Sequence, residues 1–171
     1  KLRFAIFGNI YQPKKSVSIQ KILACLSQYE AEVFVERQFY TFITEGQQMS
    51  LKGVNVFDNN QFEADFAISM GGDGTFLRTA SVVGQKQIPI LGINTGRLGF
   101  LADVNAQEIE HTIHALHDED FAVDTRAVIQ VETKGQELQG YNCALNDVAI
   151  RKRDNASMIS IYATINGETL T

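Results

Sequence analysis

Over roughly the first two thirds of the chain, short apolar runs closed by glycine or a polar pair alternate with stretches of helical period. Phe4–Phe7 is such a run, ended by Gly8-Asn9, and predicts a buried strand. Ile19, Ile22, Leu23 and Leu26 fall at i, i+3, i+4 and i+7 and predict a helix, with Ser16 or Ser18 as its cap. Ala31–Val35 predicts a second strand. Residues 37–60 are weakly patterned, with a short helix near Phe39–Ile43. Ala64–Ser69 predicts a strand that runs directly into Gly71-Gly72-Asp73-Gly74-Thr75. Phe76, Leu77, Ala80 and Val83 predict the helix that follows. Ile88–Ile93 is apolar without interruption, as strands covered on both faces of a parallel sheet are. Asn105–His117 predicts a further helix. This order predicts an α/β fold with a doubly wound, mostly parallel sheet.

Beyond Phe121 the helical period disappears. Val128–Thr133 alternates, Tyr141–Ile150 and Met158–Ile165 are strand-like, and Asn166-Gly167 is a hairpin signal. The pattern predicts an α/β nucleotide-binding domain over 1–122 and the beginning of a β-rich substrate-binding domain over 123–171. That second domain is expected to be incomplete, because roughly three strands do not close a β-core.

Composition narrows the class. Hydrophobic residues make up 44% and charged residues 20%, a globular balance. The net charge of −5 and the lack of a basic stripe exclude nucleic acid as an expected partner. Arg151-Lys152-Arg153 reads as a solvated strand end or hairpin. Cys25 and Cys143 lie far apart without a pairing motif, which argues against a disulfide framework and for a reducing, cytoplasmic setting. No apolar stretch approaches the roughly 18 residues that span a bilayer. The start at Lys1–Phe7 is too short for a signal peptide, and without Met a few residues are expected in front.

The chemistry concentrates at the ends of two predicted strands. Gly71-Gly72-Asp73-Gly74-Thr75 lets the backbone turn sharply and approach a ligand, and the helix after it presents unpaired N–H groups to phosphate. A carboxylate inside such a loop repels phosphate unless it has a task. Taking a proton from a hydroxyl, holding that hydroxyl, or helping to bind Mg²⁺ are the candidates for Asp73. The plainer alternative is a glycine turn with Asp73 as helix cap. The string is neither a P-loop nor the dinucleotide fingerprint. After the next strand comes Gly92-Ile93-Asn94-Thr95-Gly96-Arg97-Leu98-Gly99-Phe100-Leu101-Ala102-Asp103. In a doubly wound sheet both loops open on one crevice. Asn94 and Thr95 are candidates for phosphate or ribose contacts and Phe100 for stacking on a base, against a structural turn with Phe100 in the core. In Ala144–Ile150 an Asn146-Asp147 pair interrupts a strand pattern, which alone reads as a turn or bulge.

Three segments in this order and spacing resemble NAD kinases: the GGDGT loop, GINTGRLGFLADV at 92–104 and ALNDVAI at 144–150. The resemblance is weak before residue 60, strong from Asp65 onward, and closest to bacterial members. GGDGT alone is shared with diacylglycerol and sphingosine kinases, so the second and third segments single out the family. The resemblance implies an enzyme that uses ATP and Mg²⁺ to phosphorylate the 2′-hydroxyl of the adenosine ribose of NAD. It implies Asp73 as general base, and Gly71, Gly72, Gly74 and Thr75 as the loop around the phosphates. Gly74, Leu77 and Phe100 would contact NAD about its adenosine half, Arg78 would reach a phosphate, and Asn146 and Asp147 would hold ribose hydroxyls. The family usually carries Asn-Glu at that last pair, and Asp147 has one methylene less reach. It also continues into a segment that completes the NAD site, so the chain is expected to be a fragment, inactive alone, of a homo-oligomeric cytoplasmic enzyme.

Two other classes stay open on the residues alone. One is a lipid or sugar kinase sharing GGDGT, although no amphipathic membrane element is visible. The other is a nucleotide-binding module without turnover. His111, His114 and His117 recur every three residues beside Glu108, Glu110 and Asp118. A helix turns the third away from the first, so a solvated polar face is expected rather than a metal site.

Overall fold

A computed structural model describes the chain apart from residues 12–15, 47, 97–98, 136, 141, 154–157 and 171. Its first strands are β1 (Arg3–Gly8), β2 (Glu32–Glu36), β3 (Val54–Phe57), β4 (Phe66–Gly71), β5 (Ile90–Asn94) and β6 (Val104–Asn105). Its helices are α1 (Ser16–Gln28), α2 (Arg37–Thr41), α3 (Asp73–Val83) and α4 (Ile109–His117). The six strands form one parallel sheet in the order 3-2-1-4-5-6. The chain starts in the middle, walks out to β3, returns to β4 beside β1 and walks the other way. That reversal opens a crevice beyond the C-terminal ends of β1 and β4, the place where open α/β sheets bind ligands.

The central strands are apolar because both of their faces are covered. Phe4 and Ile6 of β1 enter a core with Ile19, Ile22 and Leu26 of α1 and Ile109 and Ile113 of α4. Ala5 and Phe7 enter a second core with Phe57, Phe62 and Val83 of α3. The rings of Phe57 and Phe62 meet Phe7 edge-on at 5.3 and 5.6 Å. All six residues of β4 are buried. Cys25 lies in the first core, and burial pushes its thiol pKa up.

Several boundaries differ from those the sequence predicts. β3 falls within the weakly patterned 37–60 stretch, since an edge strand needs only a few apolar residues. β5 begins at Ile90 rather than Ile88, because Pro89 has no N–H to give a ladder; its carbonyl accepts from Ala67 N instead, at 2.9 Å. The helix predicted from Asn105 begins at Ile109. Asn105 turns the chain first: its Oδ1 accepts from Gln107 N at 2.8 Å, and its N–H donates to the Glu108 carboxylate at 3.1 Å. Ser18 lies within the first turn of α1 and does not cap it, and the residues just before Ser16 lie outside the described ones.

After α4 the long strands expected over 141–150 and 158–165 are reduced to short ribbons, and Tyr141 itself lies outside the described residues. β7 (Ile129–Gln130) pairs with β8 (Cys143–Ala144), and β9 (Thr164–Ile165) with β10 (Glu168–Thr169), all antiparallel. Asn166 and Gly167 close the latter with φ of +50° and +85°, both left-handed as an Asn-Gly hairpin requires. An alternating pattern becomes a strand only beside a partner and under a packed layer. Here Ile150, Met158 and Tyr162 stay exposed.

Candidate active site

The ends of β1, β4 and β5 are tied together by main-chain hydrogen bonds. Asn9 N donates to Met70 O at 3.0 Å, and Thr95 N donates to Gly71 O at 3.2 Å. The 92–96 and 71–75 loops therefore share one edge. Gly71 is a packing requirement: a methyl group there would meet the Thr75 side chain, with Cβ at 2.7 Å. Gly72 and Gly74 are different. Neither has a left-handed φ, and a methyl group on either would meet nothing within 4 Å. Neither dihedral nor neighbour calls for glycine at these two positions. The space they leave is outside the protein, at the N-terminus of α3, where backbone and helix dipole suit a phosphate.

Asp73 is the first residue of α3, and Gly72 occupies the cap position without a side-chain cap bond. The carboxylate turns away from its own helix and onto the neighbouring loop. Oδ2 accepts from Phe100 N at 2.9 Å; Oδ1 accepts from Leu101 N at 3.0 Å and Ala102 N at 3.1 Å. The N–H groups of Phe100, Ala102 and Leu101 hold the Asp73 pKa below its ordinary value, against a smaller opposing effect of burial. A carboxylate has about four acceptor positions. Among the described residues three are filled, which leaves one on Oδ2. The helix-cap alternative does not describe this side chain.

Arg78, expected to reach a phosphate, is engaged elsewhere. Nη2 donates to Glu36 Oε2 at 2.8 Å and to Gly8 O at 3.2 Å, while Nη1 donates to Glu36 Oε1. Glu36 ends β2 and is only 6% exposed. The pair braces α3 against the ends of β1 and β2, across the crevice. The Phe39 ring packs so closely on Gly8 that no side chain fits there. Replacing Arg78 by Ala leaves a buried carboxylate unpaired and is expected to lower stability by about 1–3 kcal/mol. Adding Glu36→Gln should restore part of it. Denaturant midpoints of the three variants check this, and an unchanged midpoint for Arg78→Ala would show that the brace carries no energy.

The other expected site residues divide. Asn94 is buried and stitches its loop: Oδ1 accepts from Gly96 N at 2.7 Å, and Nδ2 donates to Ala102 O at 3.2 Å. Thr95 and Leu77 are half-buried beside the same edge. Phe100 is 96% exposed, an aromatic face open to solvent rather than a core residue. Arg97 and Leu98 of the motif lie outside the described residues. Asn146 and Asp147 sit on an exposed stretch after β8, and among the described residues no hydrogen bond joins them to Asp73 or its loop. His114 and His117 are on the surface of α4, with Nδ1 at 3.3 and 3.0 Å from Asp118, and the Tyr29 ring stacks on His117 at 4.4 Å. A cavity of about 630 Å³ lies at the opposite end of the sheet, lined by Lys1, Phe4, Tyr29, Phe66 and Phe121 among others, so it is remote from this chemistry. Glu36 and the three N–H donors escape sequence reading. A buried acid closing an apolar strand was the one available signal for Glu36.

A crevice at the switch point of a 3-2-1-4-5-6 parallel sheet, beside a helix N-terminus and a seated carboxylate, places the protein among the doubly wound α/β proteins. The ATP-NAD kinase N-terminal domain family matches residues 6–121, and the chain belongs to that family. This agrees with what the three motif segments imply. The NAD kinase of Bacteroides fragilis is 49% identical over 170 residues, covering 99% of this chain and 59% of its own length. That of Porphyromonas gingivalis is 39% identical over 168 residues, covering 98% and 58%. The chain thus spans about three fifths of these relatives. The crystal structure of yeast NADH kinase complexed with NADH shares the fold, with a TM-score of 0.67 over 84% of this chain and 46% of that one at 19% identity. Among the described residues no helix is long and apolar enough to cross a membrane.

Proposed function

We propose that the full-length protein transfers the terminal phosphoryl group of ATP to the 2′-hydroxyl of the adenosine ribose of NAD, giving NADP and ADP. The observation that carries this is the carboxylate of Asp73, fixed by three main-chain donors that favour its ionised form, in a loop whose Gly72 and Gly74 face open space. Such a group orients an attacking hydroxyl and takes its proton as phosphoryl transfer proceeds. Phosphoryl transfer depends mainly on positioning and charge stabilisation, which suits a held carboxylate. In this reading Gly71, Gly72, Gly74 and Thr75 shape the phosphate loop, with Asn94 and Thr95 behind it. Leu77 and Phe100 meet the adenosine half of NAD, and Asn146 and Asp147 hold ribose hydroxyls. Arg78 enters with its charge matched by Glu36 and acts as the brace of α3 rather than as a phosphate ligand.

Mg²⁺ is proposed to arrive on the phosphates of ATP, as it does where proteins supply few ligands. Among the described residues no group of three His, Cys, Asp or Glu side chains forms a metal cage, and Asp73 has one acceptor position to spare. The described residues do not fit a resident ion, and no step is assigned to one. Residues 1–122 form the nucleotide-binding unit and 123–171 the beginning of a β-rich substrate domain. A homo-oligomeric enzyme in the cytoplasm completes the proposal; the exposed Ile150, Met158 and Tyr162 support further cover over the β-rich part. The test is an assay of the full-length protein with ATP, Mg²⁺ and NAD, read by an NADP-specific dehydrogenase, with diacylglycerol and fructose 6-phosphate as competing acceptors. NADP should form and neither competitor should be phosphorylated. A phosphorylated lipid without NADP would overturn the proposal.

A further inference from the structure

We infer that Gly99 is a positioning residue for Asp73: carrying no side chain, it admits the carboxylate to a seat of three consecutive backbone N–H groups, and that seat leaves Oδ2 as the oxygen that meets the ribose hydroxyl. The inference rests on the function proposed above. Gly99 faces the Asp73 side chain directly, and the space there demands glycine. A methyl group on Gly99 would lie 2.6 Å from Cγ and 2.7 Å from Oδ2 of Asp73, and closer still to Oδ1. A Cβ essentially never approaches an unbonded atom so closely, so the carboxylate and the loop would have to move apart.

The seat is asymmetric. Oδ1 takes two donors, from Leu101 and Ala102, which exhaust its lone pairs. Oδ2 takes one, from Phe100, and keeps one position. In the proposed reaction the ribose oxygen forms its bond to the terminal phosphorus, the bond to the leaving ADP oxygen breaks, and the hydroxyl proton passes to Oδ2. The loop that supplies the donors is anchored independently. The Asn94 side chain spans it from Gly96 to Ala102, and Ala102 Cα packs against Gly92 so tightly that a methyl group on Gly92 would lie 2.7 Å away. Among the described residues the groups that favour the ionised form of Asp73 are the backbone donors of Phe100, Ala102 and Leu101.

Gly99→Ala in the full-length enzyme should lower kcat on the order of 10²-fold, the usual cost of displacing a reacting group by about 1 Å. KM for NAD should stay within a few-fold. The acid limb of the kcat–pH profile should move to higher pH, because the lost donors had favoured the carboxylate. In the wild type, the amide resonances of Phe100, Leu101 and Ala102 should titrate together with the Asp73 carboxyl carbon. If Gly99→Ala keeps wild-type kcat while Asp73→Asn is inactive, the positioning role is wrong and the catalytic reading survives. If Asp73→Asn is fully active although the three amides titrate with Asp73, the catalytic reading is what fails. Should Gly99→Ala not fold, the wild-type titration decides alone: amides at 100–102 that ignore the Asp73 titration would sink the seat.

Discussion

Asp73→Asn in the full-length enzyme is expected to lower kcat by about 10²–10⁴-fold, the range a general base contributes. The geometry adds a second consequence. An amide has one acceptor oxygen and one donor nitrogen. If that oxygen keeps Leu101 N and Ala102 N, the nitrogen faces Phe100 N, donor to donor. The loop should yield at Phe100, and the exposed ring that is proposed to meet the adenosine half of NAD should shift with it. A moderate rise in KM should therefore accompany the loss of kcat. Steady-state kinetics with NAD as the varied substrate checks both. An Asp73→Asn enzyme within a few-fold of wild-type kcat would leave Asp73 as a clamp for the loop and nothing more. The same carboxylate has a signature in stability. Its folded pKa lies below the unfolded value, which is near 3.9. Its contribution is complete above that unfolded value and is lost as pH falls through the folded one, so Asp73→Asn should flatten the acid end of the stability–pH curve.

Gly74→Val should separate folding from binding. A Cβ at Gly74 meets no described atom within 4 Å, and its φ is not left-handed. Valine is a better helix residue than glycine by a few tenths of a kcal/mol. The melting temperature should hold or rise slightly. The nucleotide is expected to approach through the same space, and a branched side chain there should weaken its binding by about 1–3 kcal/mol, roughly 5- to 150-fold, as overfilling a fitted space does. Gly71→Ala should behave in the opposite way: its methyl group strikes Thr75, so stability falls first. Calorimetric melting and ATP titration of the two variants make the comparison. Unchanged ATP affinity in Gly74→Val would mean that the phosphates do not come to this loop.

What could be read from the sequence follows how each element is covered. β1, β4 and β5 are interior and largely covered on both faces, so their runs are predominantly apolar. β3 and β6 lie at the two edges of the sheet, and a short edge strand leaves little periodic signal. Strand-like alternation near 141–150 and 158–165 states a preference that pairing must satisfy, and the ladders there reach only two residues. The glycine loop was legible because three glycines in four positions stand where an apolar strand run gives way to a helical period. The partners of Asp73 were not, because a backbone N–H is the same at every residue except proline. Glu36 and Arg78 are 42 positions apart, and nothing local to either announces the other.

The Asp73 seat is built from main chain, and this sets how it yields to mutation. Changes of side chain at 100 or 101 leave all three donors in place. An alanine scan across that stretch would report on Phe100 as an adenosine contact and pass over the seat. Only an imino acid deletes a donor, one per substitution, so proline scanning reaches the donors themselves, where Gly99→Ala displaces the carboxylate instead. A library built from ordinary substitutions would class Leu101 by its side chain alone, while its backbone holds the carboxylate in position.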